Sequence, residues 1–212
     1  MEILFITIAI IMTLIVIYQY HKAQIKKRAK RIDQYVFPNS IHEKLGKAYP
    51  HLTDAQILQV MSGLREYFHV CNIAGQKMIA MPSQAVDVAW HEFILFTKSY
   101  EVFCKNAFGR FLHHTPAEAM SSPTQAQEGI KRAWRISCQR ETISPIVPKK
   151  LPILFAMDSE LSIPDGFTYS LNCKGKGKDN YCATHIGCGG GCSGDSGGSS
   201  CSSGSSGCGG GD

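Results

Sequence analysis

The sequence predicts an all-α protein with one N-terminal transmembrane helix, a compact bundle of about five helices and a disordered Gly/Ser/Cys-rich tail. Residues 3–18, ILFITIAIIMTLIVIY, contain no charge, glycine or proline. Between residues 40 and 161, apolar side chains recur at the i, i+3, i+4 spacing of amphipathic helices. Residues 187–212 are almost wholly Gly, Ser and Cys. Without large apolar side chains, nothing offsets the entropy of ordering that tail.

These observations divide the chain into four segments. We predict a transmembrane helix over residues 1–20, a basic juxtamembrane stalk over 21–36, the helical domain over 37–170 and the low-complexity tail over 171–212. The length suits one ordinary domain with extensions at both ends, because domains cluster at about 100 to 150 residues.

The N-terminal segment predicts both an anchor and an orientation. As a helix, residues 3–18 extend about 24 Å, and interfacial Tyr18 and Tyr20 can absorb the mismatch with a hydrocarbon core of about 30 Å. A cleaved signal peptide needs a basic start and a small-residue cleavage site. Here only Glu2 precedes the apolar run, and the cations follow it. The positive-inside bias therefore predicts a single-pass protein of the inner or plasma membrane, with its N-terminus outside and its domain in the cytoplasm.

The positive charge is local. Residues 21–35 hold six Lys or Arg and one acid, whereas the rest of the chain holds 16 basic and 16 acidic residues, for a net charge of +5. A basic segment beside a membrane span predicts attraction to anionic lipid headgroups. Nucleic acid is not the expected partner, because no aromatic platform or RNA-binding motif accompanies the basic residues.

Helix signals are clearest in the middle of the chain. Thr53-Asp54-Ala55-Gln56 is a capping box, and the helix that it starts ends near Gly75. Pro82-Ser83 opens the next helix, whose apolar face comprises Ala85, Val86, Ala89, Trp90, Phe93, Ile94, Phe96 and Thr97. Its opposite stripe is polar and contains Asp87 and His91. Further helices are predicted over residues 99–108, 123–141 and 151–161.

Four side chains form the first candidate site: Asp87, His91, His113 and His114. Imidazoles and a carboxylate suit zinc, with Asp87 ligating directly or orienting His91. The alternative is a polar or hydrogen-bonding role, since the spacing between His91 and His113 does not require them to meet. Adjacent His113 and His114 are not expected to face one ion together, because neighbours alternate sides in an extended chain.

A second candidate site involves the cysteine-rich end of the chain. In a cytoplasmic protein, the nine cysteines are expected to be reduced, so clusters predict metal ligands or inert thiols rather than disulfides. The candidate zinc ligands are Cys173, Cys182, His185, Cys188 and Cys192. Their spacing matches no standard zinc motif, and drift in a low-complexity segment remains the alternative. Cys71, Cys104 and Cys138 lie on inner helix stripes, where thiols behave as small hydrophobes.

One stretch resembles a known family. The segment PSQAVDVAWHEFILFTKSYEVFCKNAFGRFLHHTP, followed by LPILFAMDSELSIPDG and a glycine-rich end, resembles the glycine-rich domain-containing proteins, in particular membrane-anchored bacterial members. The most specific parts are Val86-Asp87-x-x-Trp90-His91 and His113-His114-x-Pro116. In plant relatives a second histidine stands two places after the Trp-His pair, where this chain has Phe93. The resemblance implies a helical domain with an aromatic core and no assigned activity.

Together these features predict a membrane-anchored cytoplasmic binding or scaffolding module. Its Cys-rich tail is expected to capture a protein partner or a metal ion. Whether it is an enzyme stays open: the alternative is a metal-dependent hydrolase-like enzyme with a His-based site in the helical domain. No Gly-x-Ser-x-Gly elbow is present, and Lys174 to Lys178 lacks the ending of a phosphate-binding P-loop.

Overall fold

The computed structural model describes residues 1–114, 123–171, 181–182 and 186. That part of the chain contains seven helices and one pair of short strands, which confirms the all-α class. The helices are α1 (Glu2–Gln34), α2 (Asn39–Ala48), α3 (Asp54–Ala74), α4 (Gln84–Ile94), α5 (Thr97–Phe108), α6 (Pro123–Arg140) and α7 (Ile153–Glu160). The predicted disorder of residues 187–212 lies outside the described residues.

α1 is one continuous helix with two different halves. Its apolar first half is exposed on every side, and a window within Ile3–Gln34 has a mean hydropathy of 2.3 with none of it buried. It is therefore long and apolar enough to cross a membrane. From Gln24 onward, a stripe at helical spacing turns inward and ends at fully buried Ile32.

The predicted stalk packs on the rest of the structure from Gln24 onward, whereas residues 21–23 are exposed. The inner stripe of α1 packs against α3 and α5, and the Asn72 side chain donates to the carbonyl of Ile25 (3.0 Å). Arg65 of α3 donates to carbonyls at the end of α1, including those of Asp33 (3.0 Å) and Tyr35 (2.9 Å). A cation at a helix C-terminus satisfies carbonyls that lack intrahelical partners. This capping fixes the direction in which α1 leaves the domain.

α3 is the central helix of the bundle and contacts α1, α2, α4, α5, α6 and α7. It begins at the predicted capping box, in which Thr53 and Gln56 bond reciprocally, and ends at Gly75, whose φ of 64° favours glycine. Its Phe68 contacts the rings of Trp90, Phe93 and Phe103. The core is therefore strongly aromatic where α3, α4 and α5 meet.

A short strand pair was not predicted. β1 (Tyr169–Ser170) pairs in parallel with β2 (Tyr181–Cys182). Tyr169 is buried and its ring lies 4.8 Å from that of Phe155 on α7. Two residues per strand give no periodic signal in the sequence, so only tertiary packing reveals this pairing.

Candidate functional site

The site is built on α4, whose N-terminus is held by a buried carboxylate. Asp158 of α7 accepts hydrogen bonds from the Ser83 hydroxyl (2.6 Å) and the backbone N–H groups of Gln84 (2.7 Å) and Ala85 (3.2 Å). Ser83 in turn caps the N–H of Val86 (3.2 Å). A negative charge at a helix N-terminus is stabilising because the first N–H groups have no intrahelical acceptor. Asp158 thus fixes the position of α4 on the domain.

α4 presents two faces, as predicted, but it ends at Ile94, so Phe96 and Thr97 of the predicted apolar face lie outside it and Thr97 is exposed. Ala85, Val86, Ala89, Trp90 and Phe93 are buried. Asp87 and His91 lie one turn apart on the other side, where the His91 side chain is 51% exposed and that of Asp87 is 19% exposed.

The segment after α5 is held against α4 by two polar contacts within the aromatic core. Trp90 Nε1 donates to the Tyr100 hydroxyl (3.1 Å), and that hydroxyl donates to the carbonyl of Leu112 (2.5 Å). Burial raises the pKa of Tyr100, so its hydroxyl keeps the proton that it donates. The His114 ring then lies 4.6 Å from the Trp90 ring. This arrangement delivers His114 to the polar face of α4.

Three of the four predicted side chains converge there. His114 Nε2 lies 2.9 Å from Asp87 Oδ1 and 3.1 Å from His91 Nε2, and His91 Nε2 lies 3.6 Å from Asp87 Oδ2. One potential ligand atom from each residue falls within 4.8 Å of the others. We call Asp87, His91 and His114 the Asp-His-His cluster.

His113 does not join this cluster. It is exposed, and its ring lies 4.8 Å from that of Phe111. His113 and His114 both line the cavity described below, but only His114 reaches Asp87 and His91.

The separations of the nitrogen and oxygen atoms in the cluster can be compared with those of metal ligands. An ion held at about 2.0–2.1 Å by tetrahedral ligands requires those ligand atoms to be roughly 3.3 Å apart. The two ring nitrogens lie 3.1 Å apart, and the two oxygens of Asp87 lie 2.9 Å from His114 Nε2 (Oδ1) and 3.6 Å from His91 Nε2 (Oδ2). Hydrogen bonds account for the same contacts, because His114 Nε2–H can donate to Asp87 Oδ1 while His91 Nε2–H donates to His114 Nδ1 (3.4 Å).

A cavity of about 190 Å³ adjoins the cluster. His114 lines it together with Trp90, and Lys77 and Arg110 bring positive charge to its wall. Of the cluster, only His114 lines the cavity, and the half-exposed His91 side chain opens the cluster to solvent. A small anionic molecule entering the cavity would meet two cations and His114.

The cysteines divide into two groups. Cys71, Cys104 and Cys138 are buried free thiols, as predicted, and burial raises the pKa of Cys71 to about 12 and that of Cys138 to about 11. Of the candidate tail ligands, Cys182 lies in β2. The other four, Cys173, His185, Cys188 and Cys192, lie outside the described residues.

Two residues that position the site were missed by sequence analysis. Asp158 lies in the stretch LFAMDSE, where its neighbours Ala156 and Met157 are apolar, and its acceptance of hydrogen bonds from the start of α4 follows only from tertiary packing. Tyr100 lies in the helix predicted over residues 99–108, where no pattern indicated a role for its hydroxyl. Its hydroxyl partner, the Leu112 carbonyl, is a backbone group that no side-chain pattern reveals.

The comparisons with known proteins concern the domain and not the apolar leader. The model of the family described as UCP032817-like matches residues 27–189. The chain belongs to the UCP032817-like family. This overturns the resemblance to the glycine-rich domain-containing proteins, because the match is to UCP032817-like and nothing points to that other family. No curated protein and no solved structure matches this UCP032817-like chain.

The family boundary agrees with the packing of α1. The match begins at residue 27, inside α1 and within the stretch whose inner stripe packs on α3 and α5. The Asp-His-His cluster lies entirely within the matched residues. The UCP032817-like unit therefore includes the end of α1, from residue 27 onward.

Proposed function

We propose that this chain is a membrane-anchored binding module whose helical domain holds a divalent metal ion at the Asp-His-His cluster. The carrying observation is that Asp87, His91 and His114 bring three ligand atoms within 4.8 Å of one another. Two imidazoles and one carboxylate suit zinc and related divalent ions. Three protein ligands leave one coordination position for a small ligand or a partner's side chain.

The proposed anchor is the first half of α1, in the inner or plasma membrane with the N-terminus outside and the domain in the cytoplasm. Support comes from the apolar side chains exposed on every side of that half and from the cations that follow it. Transfer of those cations across a bilayer is unfavourable. Protease added to intact cells should leave the domain uncut, and alkaline washing should leave the chain in the membrane. Digestion of the domain from outside would overturn the orientation.

Cobalt substitution tests the metal site and distinguishes it from the tail. We expect full-length protein in neutral detergent, stripped with a chelator, to bind one Co²⁺ with a visible spectrum typical of nitrogen and oxygen ligands. Binding at Cys173, Cys182, His185, Cys188 and Cys192 would instead add sulfur-to-cobalt charge-transfer absorption. The tail thus remains a separate candidate for capturing metal or a protein partner.

His113, which is adjacent to His114 in the sequence, provides the matched control. His114→Ala and Asp87→Asn should each weaken Co²⁺ binding at the nitrogen and oxygen site by about tenfold or more. His113→Ala should leave it unchanged, because that ring contacts Phe111 and not the cluster. A Co²⁺ spectrum that is the same in all three variants would refute the site.

A second candidate function is a metal-dependent hydrolase-like activity. The observation that favours it is the cavity in which His114 lies beside Lys77 and Arg110. Zn²⁺-loaded protein should then turn over p-nitrophenyl phosphate, whose charge the two cations complement, in preference to p-nitrophenyl acetate. Arg110→Gln should lower that turnover while the Co²⁺ spectrum stays the same. Metal binding without turnover of either compound would favour the binding module.

A further inference from the structure

A basic cavity of about 920 Å³ lies where α1 leaves the domain. Its walls come from α1, from the ends of α3 and α5, and from α6. Six basic side chains line it: His21, Arg28, Lys77, Arg110, Arg132 and Arg135. Among the described residues, no Asp or Glu lines this cavity.

The cations of this cavity are not neutralised within the described part of the chain. None of them takes part in the ion pairs found there. Arg110 donates to the carbonyl of Gly75 (2.7 Å), and Arg132 donates to that of Met78. Arg28, Lys77 and Arg135 make no side-chain hydrogen bond to any described residue. Grouping like charges is unfavourable unless an anion joins them.

Helix ends explain only part of this charge. α3 and α5 both end at the cavity, and each helix C-terminus carries a partial negative charge of about one half. Those two ends offset about one of the five Lys and Arg charges. Within the described part of the chain, the remaining positive charge exceeds what capping requires.

Arg28 is built into the cavity rather than left on the helix surface. Gly109 ends α5 with a φ of 71°, and a Cβ added there would lie 2.6 Å from Arg28 Nη2. Glycine therefore lets the guanidinium lie against the backbone at that point. The polar floor includes Asn72, which is 3% exposed and whose Oδ1 has no hydrogen-bond partner among the described residues.

The position along α1 relates the cavity to the membrane. At 1.5 Å per residue, His21 lies about 4.5 Å and Arg28 about 15 Å beyond Tyr18, the last residue of the apolar run. The headgroup layer on each side of a bilayer is roughly 5 to 8 Å thick. The cavity therefore begins at the level of the headgroups and rises above them.

We propose that this cavity binds the phosphate-bearing headgroup of an anionic phospholipid and so fixes the domain against the bilayer. The proposal rests on the membrane anchoring of α1 proposed above. Guanidinium groups suit phosphate because they present paired N–H donors to its oxygens. We favour a lipid over a free phosphate because α1 is one continuous helix. The first residues of the cavity therefore lie directly beyond the proposed membrane span.

Ligand-dependent thermal stability tests the proposal. Full-length protein in neutral detergent is heated with dioctanoyl-phosphatidylglycerol, dioctanoyl-phosphatidylcholine or glycerol phosphate. We expect phosphatidylglycerol alone to raise the Tm, because choline places a cation among cations and glycerol phosphate lacks the acyl chains. An equal rise with glycerol phosphate would overturn the lipid assignment and indicate a soluble phosphate ligand.

Charge reversal inside and outside the cavity provides the matched control. Arg135→Glu, at an exposed position of α6 that lines the cavity, should raise the half-saturating phosphatidylglycerol concentration about tenfold or more. Lys26→Glu makes the same charge change on the outer face of α1 and should raise it less than about twofold. Equal effects in the two variants would overturn the cavity and indicate general attraction to the basic segment.

The anchor is tested separately in the same variants. Release of the full-length chain from membranes by alkaline washing would refute the anchor. A Tm response to phosphatidylglycerol that is retained by Lys26→Glu and lost by Arg135→Glu would support the cavity even then. Failure of the proposed anchor and failure of the proposed lipid cavity therefore give different results.

Discussion

The two faces of α4 differ in what their residues do. One face places Trp90 and Phe93 among the rings of the core, where they are almost completely buried. The other places Asp87 and His91 at a half-exposed edge beside His114. The stability of the fold and the chemistry of the candidate site thus depend on different residues of one helix. However, Trp90 contributes to both, because its ring also lies 4.6 Å from that of His114.

The largest expected loss of stability comes from a substitution on the buried face of α4. Trp90→Ala should lower the free energy of unfolding by about 3–5 kcal/mol, because it leaves a cavity in the aromatic core and removes a donor from Tyr100. Urea unfolding followed by circular dichroism in detergent measures this. His91→Ala should change the same quantity by less than about 0.5 kcal/mol. Equal large losses would show that the two faces do not divide as described.

The internal cap of α4 should have the next largest effect. Asp158→Asn should lower the free energy of unfolding by about 2–3 kcal/mol, since hydrogen bonds to a buried charged acceptor are the strong ones. Glu160→Gln on the same helix is the control, because its bond to Gln59 is exposed and 3.3 Å long. If both variants unfold at the same urea concentration, α4 does not depend on Asp158.

Tyr100 links the two faces, so its hydroxyl should affect both properties. Tyr100→Phe should lower the free energy of unfolding by about 1–2 kcal/mol by leaving the Leu112 carbonyl without its donor. It should also weaken Co²⁺ binding about tenfold, as loss of a positioning hydrogen bond typically does. Lost stability with unchanged Co²⁺ affinity would make Tyr100 structural only.

The ionisation of the buried thiols should have the smallest effect on the free energy of unfolding at neutral pH. The pKa of Cys71, raised by burial to about 12, lies above that of an unfolded cysteine, about 8.5. The neutral thiol's contribution to stability is therefore complete below pH of about 8.5 and is lost as pH rises towards 12. At pH 8, iodoacetamide should leave Cys71 and Cys138 unmodified in folded protein and modify both in urea, as mass spectrometry of peptides can report. Rapid modification of folded protein would contradict their burial.

The part of this site that lies within one helix could be predicted from the sequence. Asp87 and His91 are four residues apart on one helix, so their shared face follows from helical geometry alone. The capping box at Thr53 and the stop at Gly75 were equally local. His114 was a candidate, but its choice over His113 depends on how Tyr100 and Trp90 hold the chain after α5.

Features set by distant parts of the chain were beyond sequence patterns. Asp158 meets the start of α4 across more than 70 residues, and nothing in either segment specifies that meeting. Residues 21–36 were predicted to be a stalk because of their positive charges, which lie mainly on the outer face of α1. Its inner stripe at Ile25 and Ile32 has a weak pattern because Arg28 shares the stripe. The basic cavity likewise appears only when α1, α3, α5 and α6 are assembled.

Zinc-dependent stability in the neighbouring histidine variants tests the central claim most directly. At a hundredfold excess over Kd, Zn²⁺ should stabilise the unmodified chain by about 2.7 kcal/mol, and His113→Ala should retain this gain. His114→Ala should lose it, although both variants remove one imidazole from adjacent positions. Equal Zn²⁺-dependent gains in His113→Ala and His114→Ala would contradict a metal ion at Asp87, His91 and His114.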